Sequence, residues 1–379
     1  MSFSTAAVIF DSGFSQESLS KVTKIAGFVD LITGFMVLGD PFLSDEQRAQ
    51  ILPARSQDPF NHGTVILNTF TEKTPNTPVY LGRVVSPTNN VLRTVWRQQR
   101  IARSGWTEAH QLCVQHATRY GLQTVSSFSW GGYESAMDDT GWERYCLGKL
   151  VGPGKKGHAV IAAAGEGTPK SSDGSKSRHA SWSLGSHQKV SVQVFQATTS
   201  EYNVWVKDSE LGHSTDRSRN WSFTVWLDGQ LVQSYDGTKL GDNFWNNKQQ
   251  LSFAVVGRGH VEFQCTSKVE SASAFDCWIK DGSADFMDHH DSVEVIEPAI
   301  FSNVIAVGLD NVNYSPAQGE IGGKPEIIVA DDEPHRMLSF HVPDVAIQAI
   351  AIMNEAALDC EDLRKLLCCH FGSGSGLVG

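Results

Sequence analysis

The sequence predicts an α/β protein, with a parallel sheet flanked by helices and an all-β sandwich inserted into it. Three observations carry that expectation. Short apolar runs alternate with helix-period segments up to about residue 167 and again after about residue 295, as expected of strands buried on both faces. Between them, from Ala180 to Glu294, strand signals recur at a spacing of about ten residues with turn residues between them and no helical period. A polar stretch from Gly167 to Arg178 joins the two textures. The expected division is therefore 1–178 for the first part of the core, 179–295 for the sandwich, 296–360 for the second part of the core, and 361–379 for a flexible or appended tail.

Taken in order, Ala6 to Phe10 forms a buried apolar strand closed by Asp11-Ser12-Gly13. Helices are expected over 15–25 and 44–51, and again after His62, where Val65-Ile66-Leu67 continues a helical pattern. Val79 to Val85 reads as a strand. Trp106 to Tyr120 reads as an amphipathic helix, with Leu112, Cys113, His116 and Ala117 at helical spacing. Thr124 to Trp130 and Ala159 to Ala164 are strands that end at glycine. Within the insertion, strands are expected at Val190 to Phe195, Tyr202 to Val206, Trp221 to Leu227 and Leu251 to Val256. Asp228-Gly229 between two apolar runs is a hairpin signal. The α/β texture returns with Val304 to Gly308 and Ile327 to Val329, followed by a long helix from Ser339 to Ala357. There is no internal repeat.

Composition narrows the function. A hydrophobic fraction of 40% with 19% charged residues is that of an ordinary soluble globular protein. The net charge of -11, without any basic run, weighs against nucleic acid and anionic membrane surfaces as partners. No apolar stretch approaches a membrane span, and no basic segment precedes a long apolar run at the start. The seven cysteines are odd in number and lack paired CxxC spacing, so a zinc site is not expected and a reduced, cytoplasmic protein is. A pairing of Cys265 with Cys277 across a hairpin is the lesser reading beside the reduced one. Asp285, Asp288, His289, His290 and Asp291 read as a solvated acidic loop rather than a metal site. Asp331-Asp332-Glu333 lacks the alternation of a calcium loop, and Cys368-Cys369-His370 is read as incidental. No cofactor is expected. Trp182, Trp205, Trp221, Trp226, Trp245 and Trp278 are expected in the sandwich core rather than on a sugar-binding face.

The residues with chemistry to offer are Asp11, His62 and Ser339. Asp11 ends the first buried strand, where open α/β sheets place functional groups. His62 stands at a helix start in Asn61-His62-Gly63-Thr64, and Ser339 opens a helix with Pro343 four places on. A serine nucleophile needs a base to take its proton and an acid to orient that base, and a fold can bring these together from distant segments. Read singly, Asp11 is equally a turn residue, His62 a core or helix-start histidine, and Ser339 an N-cap.

The contexts add more. Val8-Ile9-Phe10-Asp11-Ser12-Gly13 resembles the aspartate motif of the subtilases, the subtilisin-like serine proteases. Asn61-His62-Gly63-Thr64 resembles their His-Gly-Thr motif, and Ser339 to Ala346, with its Pro343, resembles their serine motif. Between these, Ser127 to Gly132 resembles the strand that lines the substrate cleft, and Ala162-Ala163-Ala164-Gly165 the strand leading to the oxyanion hole. Glu297-Pro298-Ala299, Val304 to Gly308 and Lys324 to Ile327 resemble the segments that follow, in the family's order. The resemblance covers about 1–167 and 295–358. It implies a subtilisin-like sheet and a Ser339–His62–Asp11 triad. It also implies a cleft walled by Ser129, Trp130 and Gly131 on one side and by Ala164 and Gly165 on the other. The inserted, jelly-roll-like sandwich is architecturally similar to that of some clostridial spore-germination subtilases.

Two positions depart from the family. Its oxyanion Asn is replaced by Glu166, which lacks a donor when ionised; a Glu166 kept protonated by burial beside the cleft can donate, or the register shifts and Thr168 or Ser171 supplies the donor. Its Gly-Thr-Ser becomes Met337-Leu338-Ser339. Only ten residues precede Asp11, which leaves no room for the family's inhibitory prodomain and fits a cytoplasmic enzyme. The expected function is a serine endopeptidase acting through an acyl-enzyme on dedicated protein or peptide substrates. The alternatives are a weak or inactive relative that binds a peptide or protein partner, or an esterase using the same triad. The oligomeric state is left open.

Overall fold

The computed structural model describes residues 4–51, 58, 60–84, 100–132, 140–165, 168–169, 179–185, 188–208, 221–240, 248–267, 273–281, 284–287, 295–314, 324–330 and 338–371. The core is an eight-stranded sheet. Its first six strands are β1 (Ser4–Asp11), β2 (Ile25–Asp30), β3 (Phe35–Leu38), β4 (Val79–Arg83), β5 (Leu122–Phe128) and β6 (His158–Ala163). Strands Ile305–Leu309 and Ile327–Val329 complete it beyond β6, giving the order Ile327–Val329, Ile305–Leu309, β6, β5, β1, β4, β2, β3. All neighbours run parallel except β3, which pairs antiparallel to β2.

Burial on both faces explains the apolar runs. Ala6 to Phe10 on β1 and Ala162 on β6 have no exposed surface. The chain leaves β1 for β2, returns as β4 on one flank of β1, then crosses to β5 on the other. The carboxyl end of β1 therefore lies where the strand order reverses, and Asp11 is the last residue of that strand.

Helices α1 (Gln16–Lys21), α2 (Asp45–Ile51) and α3 (His62–Lys73) are short. Helices Arg100–Arg119, Trp142–Gly148, Val342–Glu355 and Cys360–Phe371 complete the flanking layers. None of the described helices is long and apolar enough to cross a membrane.

Several expectations need revision. The helix expected over 15–25 stops at Lys21, and Ile25 already belongs to β2; the β2–β3 hairpin was not anticipated. The helix expected from Ser339 begins only at Val342, with Leu338–Phe340 as a separate 3-10 turn. Pro343 is the reason. An α-helix opening at Ser339 needs the amide of residue 343 to bond the Ser339 carbonyl, and proline has none. The first regular bond instead runs from Val345 N–H to the His341 carbonyl at 3.3 Å. Residues 361–371, expected as tail, are helical, with Leu363 and Leu367 fully buried in the core.

The insertion comprises a four-stranded and a five-stranded antiparallel sheet around their own apolar core. The Asp228-Gly229 hairpin is present, with φ of 48° and 79° at its two turn residues. Cys265 and Cys277 lie on different sheets as buried free thiols, so they form no bridge; burial pushes both thiols up. Trp182 and Trp221 pack in the sandwich core, but Trp205 and Trp278 cluster with the α/β core. They stand on the other face of the four-stranded sheet, which is buried against the core. Trp226 is half-buried, and Trp245 lies outside the described residues.

At the carboxyl edge of the sheet, Asp30 and Arg83 end adjacent strands as a buried ion pair, 3.7 Å apart. Asp30 also accepts from Ile32 N–H and the Thr33 hydroxyl. Asp30→Ala takes a carboxylate away from a buried guanidinium, so it should destabilise the fold by about 3–5 kcal/mol in a denaturant titration. A loss under about 1 kcal/mol contradicts that reading.

Candidate functional site

Asp11 and His62 meet at the carboxyl edge of the sheet. The His62 Nδ1 donates to the Asp11 Oδ1 at 2.7 Å, since an ionised carboxylate only accepts. Among the described residues, Nε2 makes no hydrogen bond. Asp11 is 2% exposed and His62 20%, so the acid is sealed while the imidazole stays reachable. The Ser12 amide also donates to the Asp11 Oδ1, at 2.7 Å.

The close approach depends on Gly63. A Cβ there would collide with the Gly13 carbonyl and stand 2.9 Å from the Asp11 Cβ, so only glycine lets the two segments touch. Asp58, not singled out in the sequence, completes the arrangement. Its Oδ2 accepts from the Thr64 amide at 2.8 Å, capping α3, and its Oδ1 accepts from the Ser12 hydroxyl at 2.7 Å. The Ser12 Oγ in turn accepts from the Gly63 amide at 3.1 Å. The signal that could have found Asp58 is an acidic residue just ahead of a helix start.

Ser339 lies in the turn before the helix Val342–Glu355, and that helix packs on β1 and β5. The next residue, Phe340, sets its ring 5.1 Å from that of His62 at an interplanar angle of 33°. The three residues expected to work together thus gather at one edge. The Ser339 Oγ itself is buried and bonded to no atom among the described residues, as is the Asp11 Oδ2.

The expected cleft walls also lie here. Trp130 donates its indole N–H to the Phe10 carbonyl at 2.6 Å, tying this segment to the end of β1. A Cβ on Gly131 would strike the Glu297 carbonyl, and Gly132 exchanges two backbone bonds with Glu297 at 3.1 and 3.0 Å. Ser129 is buried. On the other side, the Ala164 amide bonds the Val307 carbonyl and its own carbonyl accepts from Ile296. The Gly165 carbonyl accepts from the Tyr314 hydroxyl at 3.0 Å. Those groups are committed within the protein, so this side offers shape rather than main-chain pairing. Glu166, Ser171, Met337, Asp288 to Asp291 and Asp331 to Glu333 lie outside the described residues. Among the described residues, no group of three or more His, Cys, Asp or Glu is placed to hold a metal ion.

No family model matches the sequence, and no curated protein is similar to it in sequence. The fold is shared with a solved structure. The CspB protease of Clostridium perfringens superposes with a TM-score of 0.60 at 12% identity, over 92% of this chain and 82% of that one. The lysozyme inhibitor PliG of Aeromonas hydrophila aligns over 32% of this chain at 14% identity and a TM-score of 0.20. The carbohydrate-binding module CBM35 of Cellvibrio japonicus Abf62 aligns over 27% at 10% identity, also with a TM-score of 0.20.

Burial pushes the His62 imidazole down, but the Asp11 hydrogen bond and the charges of Asp11 and Asp58 outweigh it, leaving the pKa above 6.5. A base acts only when deprotonated, so any hydrolysis at this site should fall with acid through a midpoint above pH 6.5. Asp58→Asn removes one raising charge and should move that midpoint down in a kcat/KM–pH profile. An unmoved midpoint means that the Asp58 charge does not reach His62.

Proposed function

We propose that the chain is a subtilisin-like serine endopeptidase, with Ser339 as nucleophile, His62 as general base and Asp11 as the residue that orients and charges the imidazole. The observation that carries this reading is the 2.7 Å Asp11–His62 contact, with the Ser339 turn against the same imidazole through Phe340. The fold shared with a protease supports it.

In the proposed reaction the Ser339 Oγ attacks a peptide carbonyl, and its proton passes to the His62 Nε2. Asp11 keeps Nδ1 protonated and stabilises the imidazolium. Collapse of the tetrahedral intermediate expels the amine, protonated by His62, and leaves an acyl-enzyme that water hydrolyses by the same route. The reaction draws on no cofactor or metal. Ser129, Trp130 and Gly131 form the wall along which an extended substrate pairs by its main chain. Ala164 and Gly165 shape the opposite side. The substrate is accordingly a peptide or an unfolded or loop segment of a protein.

Digestion of a mixed peptide library, read by mass spectrometry, tests the proposal. New termini should appear with the wild-type chain and vanish with Ser339→Ala and His62→Ala. Cleavage that survives Ser339→Ala refutes it, and an inert wild type that still retains peptides turns the reading to a binding protein. The oxyanion position gives a second test, resting on sequence alone. Glu166→Asn restores a side-chain donor and should raise kcat by about 10²-fold. An unchanged or lower rate means that Glu166 does not stand at the oxyanion.

A further inference from the structure

Ser339 is placed beside its proposed base without being coupled to it. Its Oγ has essentially no solvent exposure and makes no hydrogen bond among the described residues, although His62 keeps its contact with Asp11. A buried hydroxyl without a partner is costly and needs a reason. The neighbouring residue supplies one. Phe340 lies over the His62 ring at 5.1 Å, and is half-buried against the α/β core. Leu338 anchors the other end of the turn, 4% exposed.

The turn is held between fixed points. Leu338 fixes one side, and the His341 N–H bonds the Leu338 carbonyl at 2.9 Å. Pro343 decouples the Ser339 carbonyl from the helix behind it, so the turn can change shape without breaking a helical hydrogen bond. Rotation of Phe340 away from His62 would free the imidazole face and let the Ser339 Oγ reach Nε2.

We propose that Phe340 is a gate: its ring on His62 holds Ser339 in a resting, uncoupled state, and a substrate entering the cleft opens the site by displacing it. The inference rests on the triad assignment and adds to it a restraint built from the residue next to the nucleophile. Such a restraint suits a protease confined to dedicated substrates, because a ligand must supply enough contact along the cleft to move the ring.

The test is the second-order rate at which a small fluorophosphonate modifies the protein, followed by intact mass. Attack forms an Oγ–P bond and breaks the P–F bond; fluoride leaves, and the serine proton passes to His62. This reagent is too small to occupy the cleft and displace the ring, so it reports how often the gate is open. Phe340→Ala should be labelled about tenfold or more faster than wild type, since small misplacements of reacting groups cost rates of that order or more. Phe340→Leu, which retains bulk and packing, should fall between them, and Ser339→Ala should not be labelled. Folding of each variant is checked by its thermal transition, with Phe340→Leu standing in if Phe340→Ala does not fold. Folded Phe340 variants labelled at or below the wild-type rate overturn the gate and leave the triad intact. An absence of labelling in every protein overturns the triad reading, and the gate with it.

Discussion

Asp11 and His62 are separated by fifty intervening residues, yet they come within hydrogen-bonding distance because a strand end and a helix start meet at the same edge. One is the carboxyl end of a strand buried on both faces; the other is the start of a helix whose second residue has no side chain. Much of the local geometry answers to that contact. Gly63 permits it, Asp58 caps the helix that presents His62, and Ser12 ties Asp58 to the amide of Gly63. Burial alone would drive the imidazole toward its neutral form. The two carboxylates reverse that balance, and an imidazole held above its ordinary pKa is the result.

Much of this was legible in the sequence, for identifiable reasons. Ala6 to Phe10 and Ala159 to Ala164 are unbroken apolar runs closed by turn residues, which parallel strands require and helices of that length do not. Asp228-Gly229 declares its hairpin because both residues tolerate positive φ. What escaped depends on tertiary context. The β2–β3 hairpin lay hidden behind a short helix, since Ile25 continues the apolar spacing of α1 before the chain turns into the sheet. Ser339 read as a helix start because Pro343 fits a first turn; the carbonyl that the proline leaves without a helical donor shifts the start to Val342. Asp58 is legible only as an acidic residue ahead of a helix start, and only the folded chain brings Ser12 to it.

The tryptophans of the insertion show how a composition-level expectation can be half right. Alternation predicts that each strand buries one face, and Trp182 and Trp221 follow it into the sandwich core. The four-stranded sheet also buries its second face, because it packs on the α/β core. There Trp205 and Trp278 join the core's apolar cluster beside fully buried Asn203, and His179 stacks on Trp278 with a ring separation of 4.5 Å. That face mixes aromatic and polar side chains. Such a mixed surface is typical of contacts between domains of one chain. It ties the insertion to the body that carries the site.

The measurement that bears most directly on the central contact is an NMR titration of the histidine side chains, with His62 assigned by its loss in His62→Ala. The account predicts that His62 titrates above 6.5 in the wild-type chain and that its midpoint drops in Asp11→Asn, where the carboxylate charge is gone but the side-chain volume remains. A His62 midpoint that is the same with and without the Asp11 charge would contradict it, because the imidazole would then owe nothing to the carboxylate it contacts.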